Sequence, residues 1–161
     1  MAEIFVGIGS NIDREQHIAS GIDMLREAFG ELSLSPIYES ESFGFSGPSF
    51  FNLVARFESS KKIGEVLAEL KRIEAANGRV HGAKKFASRT LDIDILLYDD
   101  VVCSQPCELP RGEVLENAFV LRPLAELAGE RIHPIAKQSY HALWQAFDKQ
   151  YQPLNRVSLT C

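Results

Sequence analysis

The sequence lacks any apolar run approaching the length of a membrane span, has no basic leader before its first apolar stretch, "EIFVGIG", and contains no internal repeat or low-complexity segment. Bilayer crossing, secretion and a solenoid architecture are therefore not expected. Cysteine is scarce: Cys103, Cys107 and Cys161 form no CxxC pair, and no histidine stands at zinc-ligand spacing from them. A disulfide framework and a structural zinc are thus disfavoured, and a reducing, cytoplasmic setting is the simple expectation. Basic charge is short as well, with 17 Lys+Arg against 22 Asp+Glu for a net charge of −5. General nucleic-acid or membrane binding needs a basic surface, so neither is expected. His17, His81, His133 and His141 share no ligand spacing, and no Ser/His/Asp or Cys/His set marks a nucleophile.

The 161 residues, 45% hydrophobic and 24% charged, suffice for one core, and no linker-like stretch divides the expected single domain, 1–161. Residues 3–9 read as a strand rich in β-branched and aromatic side chains. A helix follows, with Asp13 as N-cap and Gln16 as its capping-box partner, an apolar stripe at Ile18, Ile22, Leu25 and Phe29, and Gly30 as the stop. Residues 32–40 and 50–58 read as strands joined by the Gly/Pro/Ser loop "FGFSGPS". Ile63, Val66, Leu67, Leu70 and Ile73 follow helical spacing, with Ser59 or Ser60 available as cap and Gly78 at the exit. Two shorter helices are predicted, over Pro123–Ala128 before Gly129 and over Ser139–Asp148, where Tyr140, Leu143, Trp144 and Phe147 make an apolar face. The order strand, helix, strand, strand, helix, strand is that of a ferredoxin-like α+β sandwich with a mainly antiparallel sheet and appended C-terminal helices.

The segment "RTLDIDILLYDD" carries the first chemical signal. As a strand it alternates with period two, so Leu91, Ile93, Ile95 and Leu97 share one face and Asp92 and Asp94 the other. Two carboxylates about 6 Å apart repel by about 3 kcal/mol at an effective dielectric near 20, which calls for a positive partner. A hard divalent cation is the usual one, and Mg²⁺ typically takes one or two carboxylates plus substrate phosphates. Salt bridges to Arg89 and a lysine are the plain alternative. Just before the acids, the loop "GRVHGAKKFASR" gathers Arg79, His81, Lys84, Lys85 and Arg89. Its guanidinium groups could neutralise a transferred phosphoryl or pyrophosphoryl group.

Elsewhere "GIGSN" falls short of the dinucleotide fingerprint, which needs glycine where Ile12 stands, so Gly7 and Gly9 are better explained by a tight turn or a close backbone approach. In "FFNLV", Phe50 and Asn52 share a strand face and offer an aromatic plane beside an amide, a fit for a flat heterocycle, although a core Phe50 and a turn-capping Asn52 would also account for them.

"KFASRTLDIDILLY" closely resembles the signature of the 6-hydroxymethyl-7,8-dihydropterin pyrophosphokinases of folate biosynthesis, and "VGIGSNI", "FFN", "RIEAANGR" and "AFVLRPLAELA" resemble further segments of that family in the right order. The resemblance implies a ferredoxin-like fold and ATP-dependent pyrophosphoryl transfer to the pterin alcohol, with AMP as co-product. It implies two Mg²⁺ ions on Asp92 and Asp94, ATP held by Glu74, Arg79, His81, Arg89 and Arg111, with Arg79 and Arg89 catalytic, and the pterin bound by Ser40, Phe43, Phe50, Asn52 and Phe119. ATP and the pterin are the expected partners, and a monomer satisfies these expectations. Several positions depart from the family: His81 replaces a second loop arginine, Arg111 a phosphate-contacting histidine, Asn117 an arginine, and Phe86 a tryptophan. "YESESFG" has Ser42 and neighbours where threonine and prolines are usual. The alternatives are a diverged binder with weak transfer or another alcohol acceptor; a ferredoxin-like RNA-binding module is opposed by the acidic balance.

Overall fold

The computed structural model describes residues 1–40, 49–78, 90–148 and 154–158. The elements run β1 (Ala2–Ser10), α1 (Arg14–Phe29), β2 (Ser33–Leu34), β3 (Ile37–Ser40), β4 (Phe50–Ser59), α2 (Ile63–Ala76), β5 (Asp92–Tyr98), α3 (Glu113–Glu116), α4 (Ala118–Ala128), α5 (Tyr140–Ala146) and β6 (Asn155–Val157). The sheet order is β5-β1-β4-β3-β6, with β2 also on β4, and every pairing is antiparallel. This is the expected ferredoxin-like α+β sandwich, with α3 to α5 appended.

The predicted strand 32–40 is two short strands, because Pro36 has no N–H to offer the ladder. Ser35 bridges the break: its N–H donates to the Val54 carbonyl at 2.9 Å and its Oγ accepts from the Val54 N–H at 2.8 Å. Alternation along β5 holds only through Ile95. The register against β1 shifts between Phe5 and Val6, and Leu97 joins the cluster on the other face, so it does not share a side with Leu91, Ile93 and Ile95 as expected.

Two cores result. Ile4, Val6, Ile8, Leu53, Phe57, Ile93 and Ile95 bury against Ile18, Ile22 and Leu25 of α1 and Val66, Leu70 and Ile73 of α2. On the opposite face Phe5, Val54, Leu96 and Leu97 pack under Val114, Val120, Leu121, Leu124 and Tyr140. That second burial explains why α4 starts at Ala118, earlier than predicted, and runs through Pro123. Pro123 forgoes one bond to the Phe119 carbonyl, and the buried Val120, Leu121 and Leu124 outweigh that loss.

The caps differ from expectation too. Asp13 is the N-cap of α1 but adopts φ 46°, and its carboxylate makes no cap bond, so the box with Gln16 does not form. At α2 the N-cap is Lys62, whose N–H donates to Glu65 Oε1 at 2.9 Å, while Ser59 Oγ accepts from the Lys61 N–H. Gly30 and Gly78 end their helices at φ 86° and 84°, the left-handed values that glycine supplies without strain. Among the described residues no helix is long and apolar enough to cross a membrane.

Candidate active site

The antiparallel register sets Asp92 opposite Gly9 and Asp94 opposite Gly7, while on the other side of β1 Gly9 pairs with Asn52. Asn52 in turn pairs with Tyr38 of β3. Asp92, Gly9, Asn52 and Tyr38 thus form one row across the sheet, all pointing to the face that α4 partly covers. Gly9 has no side chain to fill the space between the carboxylate and the amide. A Cβ there would stand 3.0 Å from Asn52 Oδ1 and 3.7 Å from the Phe50 ring, so the expected close approach is what Gly9 provides.

Around the acids, the side chain of Asp94 lies 3.5 Å from Arg111 Nη2, and the same guanidinium donates to Glu113 Oε1 at 2.8 Å. The Arg111 N–H donates to the Leu96 carbonyl at 3.0 Å, fixing this residue to the free edge of β5. Further along that edge the buried Glu74 accepts the Ile93 N–H on Oε2 at 2.8 Å, a bond that ties α2 to the strand bearing the acids. Burial first, and the charge of Asp92 next, push the Asp94 carboxyl up to about 7 against the opposing pull of Arg111, with Glu113 and Glu74 adding to the rise. Asp94 thus has an ion-pair partner in Arg111, an arginine shared with Glu113, while Arg89 and the loop lysines Lys84 and Lys85 lie outside the described residues. No cluster of three or more metal-ligating side chains occurs among the described residues.

Beyond Gly9 the row is ordered by hydrogen bonds. Asn52 Nδ2 donates to Ser40 Oγ at 2.8 Å, both residues being buried, and Phe50 pairs with Ser40 in register. Tyr38 donates to Glu126 of α4, and the Arg122 guanidinium stands 4.7 Å from the centre of the Tyr38 ring. Phe119, Arg122 and Glu126 follow i, i+3, i+7 spacing, which puts Phe119 on the helix face that grips β3.

The sequence profile of 7,8-dihydro-6-hydroxymethylpterin-pyrophosphokinase, HPPK, matches residues 5–129. The chain belongs to the HPPK family. It is 32% identical over 164 residues to a 2-amino-4-hydroxy-6-hydroxymethyldihydropteridine pyrophosphokinase of Aquifex aeolicus, with 100% of this chain and 97% of the relative covered. A Porphyromonas gingivalis protein of the same name is 34% identical, with 84% and 97% covered. A folic acid synthesis protein of Schizosaccharomyces pombe is 35% identical, with 90% of this chain but 20% of the longer relative covered. Among solved structures, a Plasmodium falciparum HPPK-DHPS superposes with a TM-score of 0.70 at 11% identity, over 90% of this chain and 43% of that one. At that identity the likeness speaks for the fold, and the chain spans less than half of the solved protein's length. As an HPPK, the chain is a transferase, a pyrophosphokinase of folate biosynthesis.

Of the residues the HPPK resemblance singled out, the structure brings Asp92, Asp94, Glu74 and Arg111 together along β5, and Ser40, Phe50 and Asn52 together along β3 and β4. Phe119 sits at the start of α4, partly buried against the second core. Arg79, His81, Arg89 and Phe43 lie outside the described residues, as do Ser42 and Phe86. Asn117, the departure next to "AFVL", is the N-cap of α4, where its carbonyl accepts the Leu121 N–H at 2.9 Å. The sequence reading missed Glu113 and the Tyr38–Glu126 contact. An acid two residues from Arg111 was a visible signal for the first; the second joins residues 88 positions apart and left none.

Proposed function

We propose that the row from Asp92 to Asn52 divides one reaction between two walls, the acids receiving the ATP side and Phe50, Asn52, Ser40 and Phe119 the pterin. The reaction is ATP-dependent pyrophosphoryl transfer to 6-hydroxymethyl-7,8-dihydropterin, giving its diphosphate and AMP. The observation that supports this reading most is Gly9: it places an acid and a hydrogen-bonding amide on one face with no side chain between them. The pterin hydroxymethyl oxygen attacks the β-phosphorus, the bond from that phosphorus to the α,β-bridging oxygen breaks, AMP leaves with the bonding electrons, and the alcohol proton passes to solvent.

Two Mg²⁺ ions, when bound, would neutralise the polyphosphate and hold it in line. Asp92 and Asp94 are the residues that would hold them, and the burial and like charge that raise the Asp94 carboxyl fit that role. Arg111 supplies positive charge beside Asp94, with Arg79, His81 and Arg89 completing the ATP contacts and the two arginines countering charge on the transferred group. Glu74 keeps the acid-bearing strand in place through Ile93. Asn52, oriented by Ser40, reads the pterin edge, and Phe50 and Phe119 sandwich its ring, with Phe43 closing the pocket. Such transfers are accelerated mainly by positioning and charge, so no general base is required.

The test is incubation of the purified chain with ATP, Mg²⁺ and the pterin alcohol. AMP and pterin diphosphate are expected in equal amounts; ADP, or no product, contradicts the reading.

A further inference from the structure

Behind the acceptor wall, on the opposite side of the sheet, Arg14 at the start of α1 makes a set of contacts that the reaction does not use. Its Nη1 donates to Glu39 Oε2 at 2.7 Å, to the Ser49 carbonyl at 3.0 Å and to Ser49 Oγ at 2.9 Å. Ser49 Oγ donates in turn to Glu39 Oε2 at 2.9 Å, and the Arg14 guanidinium lies 3.9 Å from the centre of the Phe51 ring. These bonds hold the Glu39 carboxyl below its usual range.

The register gives the cluster its meaning. Glu39 pairs with Phe51, and that pair is flanked on one side by Ser40 with Phe50 and on the other by Tyr38 with Asn52. Side chains alternate across a strand, so each residue Arg14 holds on the α1 side is the chain neighbour of one facing the pterin: Glu39 beside Ser40, Ser49 beside Phe50, Phe51 beside both Phe50 and Asn52. A sideways slip of β3 against β4 would move Ser40 away from Asn52 and turn the amide. The geometry points to Arg14 as a positioning residue for the acceptor pocket, one that fixes from behind the sheet the spacing of Ser40, Phe50 and Asn52 and so sets affinity for the flat heterocyclic substrate without touching it.

Arg14, Ser49 and Phe51 line an open depression together with Asn11, Ile12 and Gln16. Removing the guanidinium therefore admits water and leaves no buried cavity, so the fold should survive Arg14→Ala. The three acceptors converge on Nη1, whose two N–H groups share them, and an ammonium has three N–H groups to offer, so Arg14→Lys should restore most of what Arg14→Ala loses.

The inference rests on the proposed pterin site, and the test separates the two. Binding of 6-hydroxymethyl-7,8-dihydropterin in the presence of Mg²⁺ and a nonhydrolysable ATP analogue is followed by pterin fluorescence for the wild-type chain, Arg14→Ala and Arg14→Lys. Nucleotide affinity is measured separately by calorimetry, with melting temperatures as a control. Arg14→Ala is expected to weaken pterin binding about tenfold, the loss of one or two charge-assisted hydrogen bonds, while nucleotide affinity stays within about twofold and Arg14→Lys recovers to within about threefold of wild type. Unchanged pterin affinity in Arg14→Ala, or equal losses for pterin and nucleotide, would overturn the role of Arg14 while leaving the pterin site standing. A wild-type chain that does not bind the pterin overturns both.

Discussion

A methyl group on Gly9 would stand 3.0 Å from the side-chain oxygen of Asn52, close enough that the amide would have to give way by a few tenths of an ångström. Gly9→Ala should therefore displace the Asn52 amide, or push it off Ser40, more than it disturbs the fold. Overpacking of this kind costs about 1–3 kcal/mol where the neighbour cannot give way. The expected result is a rise in KM for the pterin of about tenfold or more with little change in KM for ATP. Equal effects on both substrates would show that Gly9 serves the sheet and not the acceptor.

Burial and the neighbouring charge of Asp92 raise the Asp94 carboxyl. Asp92→Asn removes the like charge that helps raise the Asp94 carboxyl, so the metal-free variant should melt at a temperature equal to or above wild type. Turnover should fall by about 100-fold or more, the usual scale for losing a preorganised charge contact. A thermal scan and a steady-state assay on one preparation check both halves.

The same carboxyl gives a pH dependence of defined sign. Asp94 in the metal-free fold holds its proton up to about 7, whereas an unfolded aspartate releases it near 3.9. Between those values the folded chain binds the extra proton, so this group's contribution to stability is full below about pH 4 and is lost as pH rises toward 7. Nucleotide with Mg²⁺ favours the ionised form and should release a proton on binding at pH 6.5. Calorimetry in buffers of different ionisation enthalpy reads that proton; none released would contradict the assignment.

Among the described residues Arg111 opposes the rise at Asp94, and it is shared with Glu113. Arg111→Gln should move the acid limb of the pH–rate profile to higher pH, because the carboxyl becomes harder to ionise. An acid limb that stays in place would mean that Arg111 belongs to Glu113 alone.

His133 makes a control far from the chemistry. Its Nδ1 accepts the N–H groups of Ile135 and Ala136 at 3.1 and 3.0 Å, which requires that nitrogen to be unprotonated, and burial lowers its pKa. Its stabilising contribution is present above about pH 6.5 and is lost as pH falls toward the lowered folded value. His133→Ala should cost about 1–3 kcal/mol in chemical denaturation, and activity per folded molecule should be unchanged.

The fold was legible because its signals are periodic. The stripe of α1, the stripe of α2 and the alternation of Asp92 to Ile95 each state a face, and the order of strands and helices along the chain states the fold class. The errors arose where tertiary contact overrides a local rule. Pro123 reads as a helix start, yet the burial of Val120 and Leu121 carries α4 back to Ala118. Asp13 reads as a side-chain cap, yet its backbone turns left-handed, and its carbonyl accepts the His17 N–H instead. The acid pair and the Phe50/Asn52 face were visible within single strands. Their placement in one row through Gly9 was not, since it depends on the register of three strands remote in sequence.

The most direct measurement is a crystal structure of the chain with Mg²⁺, a nonhydrolysable ATP analogue and the pterin alcohol. Magnesium is expected at about 2.0–2.1 Å from oxygens of Asp92 and Asp94 and from the nucleotide phosphates, with the pterin ring against Phe50 and its edge on Asn52. Carboxylates of Asp92 and Asp94 engaged only by Arg111 and other protein groups, with the nucleotide bound elsewhere, would contradict it.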